Sequence, residues 1–180
     1  LDLTWKWMNQ ISSPVAYLHK SNIIHGDIST GNILVQSVTT PHLYLCDFGT
    51  SRRFGPEGSA KTAEAYTQWF RAPEVLVESG KQHRATDVWA TACIFLQILW
   101  RSEIHSAKPD PLSKLFKNHN DPNFGGFPEN KPITTSNKSV QRISLLIKRV
   151  CKPDRTLTQL LSEMLNVAVN DRIKMHEVVD

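Results

Sequence analysis

His25-Gly26-Asp27-Ile28-Ser29-Thr30-Gly31-Asn32, answered twenty positions after Asp27 by Asp47-Phe48-Gly49, is the stretch on which the reading of this chain turns. It sets two carboxylates and one amide at the ends of short apolar runs. Ile23-Ile24 precede Asp27, Ile33-Leu34-Val35 follow Asn32, and Leu43-Tyr44-Leu45-Cys46 lead into Asp47. Apolar runs this short, bounded by turn residues, read as strands. Asp27, Asn32 and Asp47 are then expected together at strand–loop junctions, where a rigid scaffold can hold polar groups in a cleft. An Asp and an Asn sharing a cation, beside a further Asp able to accept a proton, suit metal-assisted phosphoryl transfer. Each half alone is ordinary loop chemistry; the order and spacing of the two carry the reading.

The spacing resembles the catalytic loop H-R-D-x-x-x-x-N and the D-F-G motif of the eukaryotic-type protein kinases. The resemblance implies that His25 is structural and that Asp27 orients a substrate hydroxyl and accepts its proton. It implies that Asn32 and Asp47 hold Mg²⁺ against the phosphates of ATP. Leu34 matches the apolar floor under the adenine, with core packing as the alternative. Cys46 would line the same cleft, or serve as a small buried apolar residue.

Further motifs follow in the family's order. Thr67-Gln68-Trp69-Phe70-Arg71-Ala72-Pro73-Glu74 is similar to the wording of the cyclin-dependent and mitogen-activated kinase group. On that resemblance 47–74 is the activation segment, Thr67 hydrogen-bonds the catalytic Asp, and Thr62 is the regulatory phosphorylation site. An unmodified loop residue is the competing reading of Thr62. Asp87-Val88-Trp89 matches the central-helix motif whose Asp pins the catalytic loop's amides. Asn170-Asp171-Arg172-Ile173 matches the last motif, whose Arg pairs with the Glu of Ala-Pro-Glu, so a buried Glu74–Arg172 ion pair is expected. The stretch 105–139, rich in Pro, Asn, Lys and Gly, resembles a partner-docking insert of this group, with loop filler as the alternative and a short helix expected over 111–117.

Read for local structure, residues 1–19 form a helix with Trp7, Ile11, Val15 and Leu18 on one face. Pro14 interrupts it at a cost of roughly 3 kcal/mol, so either a kink or a fresh start capped by Ser13 is expected. Residues 36–42 fit a hairpin connection, and 50–68 reads as a mobile loop. A buried helix is expected from Asp87 to Trp100, opened by Thr86-Asp87 as caps. Two amphipathic helices follow, the second starting in a capping box of Thr156 with Gln159. The expected fold is mainly α with short β-hairpin elements: 1–180 as one kinase-like C-terminal lobe, with no N-terminal β-lobe.

Composition sets outer limits. The 180 residues, 40% hydrophobic and 21% charged, suit one globular domain. A net charge of +4 from scattered Lys and Arg supports weak attraction to anions but no nucleic-acid site. Cys46, Cys93 and Cys151 are odd in number and far apart, which fits a reducing compartment without disulfides or a metal cage. No signal peptide opens the chain, and the apolar run 88–100 is too short for a bilayer. An intracellular protein, cytoplasmic or nuclear and off the membrane, is expected.

Departures from the family pattern temper the expected activity. Gly26 stands where the family has Arg, which removes the cation that reads an activation-loop phosphate and leaves Arg52 as the nearest matching partner. Ser29 replaces the Lys that steadies the transferred phosphate, and losing one transition-state donor commonly costs about 10²–10³ in rate. The Gly-rich loop, strand Lys and helix Glu of a kinase have no counterpart here. Three readings follow: a Ser/Thr kinase lobe acting on a protein substrate with a separate N-lobe or regulatory protein, a pseudokinase-like binding module, and a small-molecule phosphotransferase. Ala72-Pro73-Glu74, Asp87-x-Trp89 and Arg172 rank the third last.

Overall fold

The computed structural model describes residues 2–37, 42–55, 59–61, 72–77, 81–103, 138–152 and 154–179. The first helix, α1, runs unbroken over Asp2–Lys20 with Pro14 inside it. No second helix starts at Ser13. Met8, Ile11, Val15 and Leu18 are buried on both sides of the proline. At about 1.5–3 kcal/mol for each buried apolar side chain, their burial outweighs the proline penalty. The Ser12 hydroxyl donates to the Met8 and Asn9 carbonyls at 2.9 and 3.2 Å, a side-chain bond made inside the turn before Pro14.

After α1 the chain enters β1 (Ile23–Ile24), a 3₁₀ turn at Thr30–Asn32, and a hairpin of β2 (Ile33–Ser37) with β3 (His42–Leu45). The antiparallel register pairs Ile33 with Leu45, Leu34 with Tyr44 and Val35 with Leu43. Alternation turns Ile33, Leu43 and Leu45 onto the core. Leu34 and Tyr44 point the other way and are 54% and 50% exposed. Core packing of Leu34 is therefore not what the fold does with it.

The loop expected over 50–68 is not strandless. It contains β4 (Arg52–Arg53), which pairs with β1, and β5 (Ser59–Lys61), which pairs with β6 (Lys81–His83). Strands of two or three residues are too short to show a period; only partners distant in the chain define them.

Helix α2 (Pro73–Val77) precedes β6, and α3 (Arg84–Glu103) forms the centre. It begins one turn earlier than expected. Thr86 accepts from the His83 backbone N–H at 3.1 Å, as the third residue of a capped helix does, and Asp87 is spent elsewhere. Every residue from Val88 to Leu96 is buried, with Trp89 fully so, which is why no polar stripe interrupts the sequence there. Helices α4 (Lys138–Val150) and α5 (Arg155–Met164) cover α3 with Ile143, Ile147, Val150, Leu157, Leu161 and Met164. The terminal helix α6 (Met175–Val179) packs on α1.

The cap of α5 is Asp154, whose carboxylate accepts from Leu157 N–H at 2.9 Å, and not Thr156, which is exposed. Asp154→Ala is expected to lower stability by about 1 kcal/mol in urea unfolding, whereas Thr156→Ala leaves it within experimental scatter. The expected insert over 105–139 lies outside the described residues, save the last two positions, which open α4. So does the helix expected over 111–117.

Candidate active site

Asp87 organises the site. Its carboxylate is 1% exposed, and a buried charge requires several compensating donors. Three are present: the His25 and Gly26 backbone N–H groups at 2.9 and 3.0 Å, and His19 Nε2 at 2.9 Å. The first turn of the central helix thus holds the backbone of the loop that carries Asp27. Gly26 has φ of 83°, in the left-handed region where a glycine adds no Cβ clash.

His25 is fully buried and joins this loop to the one ending in Asp47. Its Nδ1 accepts from Asp27 N–H at 3.3 Å and its Nε2 lies 3.1 Å from the Cys46 carbonyl. That pair of partners is satisfied by the tautomer with hydrogen on Nε2. The ring of Phe48 tilts against the imidazole at 5.1 Å between centroids. Two residues that the sequence reading missed complete the junction: the hydroxyls of Thr50 and Ser51 both donate to the His25 carbonyl, at 3.0 and 3.1 Å. Their position directly after Asp47-Phe48-Gly49 was the available signal. His19 was missed as well, and only its placement opposite Asp87 in space reveals it.

Asn32 clasps Asp27. Its Nδ2 donates to the Asp27 carbonyl at 2.8 Å and to Asp27 Oδ2 at 3.0 Å. Two acceptors can be met only by the NH₂ end of the amide, so Oδ1 is turned away from Asp27 with its lone pairs available. The Asn32 carbonyl accepts from Cys46 N–H at 2.9 Å and from its thiol at 3.4 Å, which fixes the root of Asp47 against the Asn32 turn.

Asp47 itself is exposed with φ of 63°. A non-glycine residue there is strained by roughly 1–2 kcal/mol, partly offset by Oδ1 accepting from Gly49 N–H at 3.2 Å. Strain of this kind gathers at functional sites. Among the described residues no three His, Cys, Asp or Glu side chains form a metal cage. The available donors are hard oxygens, one carboxylate and one amide, which fit an ion that keeps most of its ligands as water and phosphate.

Glu74 and Arg172, far apart in the chain, meet in a buried bidentate pair at 2.6 and 2.9 Å. Arg172 also donates to the Ala85 and Asn166 carbonyls and lies over the Trp89 ring at 5.1 Å. Cys46 is half-buried beside Asn32, and Leu34 faces outward. Thr62 and Thr67 lie outside the described residues. No described helix is long and apolar enough to cross a membrane.

A buried Asp pinning a catalytic-type loop, an Asp–Asn clasp and a distant Glu–Arg tie are set in a mostly helical fold with small antiparallel sheets. The family comparison agrees with that geometry: the protein kinase domain model matches residues 2–180, and the chain belongs to the protein kinase family. Its likeness within the family runs to the cyclin-dependent and mitogen-activated kinases. Cyclin-dependent kinase C-1 of Oryza sativa subsp. japonica is 30% identical over 180 residues, covering 97% of this chain and 34% of that protein. Mitogen-activated protein kinase 10 of Arabidopsis thaliana is 37% identical over 109 residues, 61% of this chain and 27% of that protein. Serine/threonine-protein kinase NLK2 of Xenopus laevis is 38% identical over 110 residues, 61% of this chain and 24% of that protein. The chain spans about a third or less of the length of these curated relatives.

Proposed function

We propose that this chain is the catalytic lobe of a protein serine/threonine kinase, acting in transfer of the ATP γ-phosphoryl group to a protein hydroxyl. The observation that carries the reading is the clasp of Asn32 on Asp27, built on a loop whose amides Asp87 holds. Asp27 orients the acceptor hydroxyl and takes its proton; the Asn32 amide fixes the carboxylate for that task. Asn32 Oδ1 and the Asp47 carboxylate would hold Mg²⁺, which when bound neutralises charge on the phosphates. Leu34 and Cys46 line the adenine side, and Thr67 positions Asp27. In this reading 47–74 is the activation segment, with Thr62 its phosphorylation site, and 105–139 is the docking insert. The Gly-rich loop and its Lys come from outside these residues, on a second lobe or a regulatory protein.

Asp47→Asn keeps the shape of the side chain and removes its charge. It is expected to weaken Mg²⁺-dependent nucleotide binding about ten- to hundred-fold, read by titration with fluorescent ATP with and without Mg²⁺. Binding that is present and unchanged in the variant would remove Asp47 from the metal site.

One observation favours a second reading, a binding module with little catalysis. Ser29, in the place of the phosphate-steadying Lys, is buried at 3% exposure, and its carbonyl closes the 3₁₀ turn by accepting from Asn32 N–H. Single-turnover phosphoryl transfer at saturating Mg-ATP separates the two: nucleotide binding without transfer supports the binding module.

A further inference from the structure

Between the end of α1, the first turn of α3 and residues 169–176 lies a cavity of about 180 Å³, room for roughly six waters at bulk density. Its wall carries His19, His83, Arg84, Arg172, Lys174 and His176, and among the described residues that line it none is acidic. Asp27, Asn32 and Asp47 take no part in it. In a chain with 17 acidic residues against 21 Lys and Arg, a wall of one sign is a segregation that composition does not explain.

Two of these groups are already committed, Arg172 to Glu74 and His19 to Asp87. Two cations are not. Among the described residues Arg84 has no carboxylate partner; its guanidinium is held 4.8 Å from the centre of the Phe54 ring. Lys174 is exposed, and the nearby Glu177 carboxylate bonds its backbone N–H at 2.7 Å rather than its ammonium. Helix α3 is 20 residues long and starts at this wall with Arg84 and Ala85, so its positive end adds to the same potential. Like charges lining a cleft focus their field on an anion inside it.

From this juxtaposition we propose that the cavity binds a phosphate monoester, with Arg84 and Lys174 as its charged contacts and Asn170 and His176 as flanking donors. Two separate cations and a helix end suit a dianion with three terminal oxygens better than a planar carboxylate, which a single Arg satisfies bidentately. The site needs neither nucleotide nor the catalytic loop, so it stands apart from the kinase reading.

The test is a titration of the ¹⁵N-labelled 180-residue chain with inorganic phosphate, phosphoserine, and a phosphoserine peptide beside its unphosphorylated twin. Ionic strength is held constant with chloride. Saturable shifts of the Arg84, Ala85 and Lys174 amides are expected, with a Kd for inorganic phosphate in the millimolar range. Arg84→Gln with Lys174→Gln should weaken binding about ten-fold or more, while Lys152→Gln, on an exposed residue away from the cavity, should not. Tighter binding of the phosphopeptide than of phosphoserine assigns the monoester to a phosphorylated protein; equal binding assigns it to a small molecule. Shifts reproduced by chloride alone, or untouched in a double variant with native circular dichroism, overturn the proposal. Should the double variant fail to fold, Lys174→Gln alone, at an exposed residue, decides the same question, with about a three-fold loss expected. Nucleotide is absent throughout, so a negative result leaves the Asp47 experiment standing.

Discussion

Arg172→Ala is expected to lower the unfolding free energy by about 3–5 kcal/mol. Removing the guanidinium strands the Glu74 carboxylate in an environment where it is 6% exposed, and it also takes donors from the Ala85 and Asn166 carbonyls. For a protein of this size the loss corresponds to a fall in Tm of roughly 6–20 °C, measured by thermal unfolding and checked by the urea midpoint. Arg172→Lys should recover only part of it. An ammonium is a point charge and cannot make the two parallel bonds that the guanidinium makes to Oε1 and Oε2. Glu74→Leu combined with Arg172→Met should be more stable than Arg172→Ala, because neither charge is then left buried alone. A change below about 1 kcal/mol in Arg172→Ala, the size of an exposed ion pair, would show that the tie between α2 and the C-terminal segment lies elsewhere.

Asp87→Ala is expected to be at least as costly and more informative about the site. It leaves the His25 and Gly26 amides and His19 Nε2 without their acceptor. At about 1–3 kcal/mol for each unmet buried group, the total is of the same order as the loss of Arg172. The distinguishing readout is local. Hydrogen exchange at His25 and Gly26 should accelerate by far more than exchange in the α4 and α5 core. Asp87→Asn should fall between, since an amide accepts through one oxygen only and presents its NH₂ to a donor. Uniform acceleration across the chain would mean that Asp87 acts as a general core residue and not as the anchor of the Asp27 loop.

The two variants mark how far the sequence could be read. Asp27, Asn32 and Asp47 drew attention through residue type and spacing, because turn-bounded apolar runs predict where strands stop and loops begin. The Asp27–Asn32 clasp was within reach of that reasoning, since four residues separate the pair and one 3₁₀ turn folds them together. The hydrophobic face of α1, the buried α3 and the apolar stripes of α4 and α5 followed from periodicity alone. Errors fell at element ends. Of the two expectations at Pro14, a kink or a fresh start, the fresh start does not occur; Thr86-Asp87 read as caps and are a first turn, and Thr156 read as the α5 cap where Asp154 holds it. At Pro14 and Asp87 a local preference worth about 1–3 kcal/mol was set against burial or a distant partner that one window of sequence does not contain; at the α5 cap two local candidates competed, and Asp154 stands directly before the first helical residue.

By itself, then, the amino-acid sequence determined that α1, α3, α4 and α5 are helical and which of their faces are apolar, and it singled out candidate side chains for chemistry, since these depend on residue type and on neighbours three or four positions away. Tertiary structure alone decided that His19 would serve Asp87, that Thr50 and Ser51 would converge on the His25 carbonyl, that Leu34 would face outward, and that Arg84 and Lys174 would share a cavity. Those contacts join residues through space, and their energies exist only once the chain has closed around them.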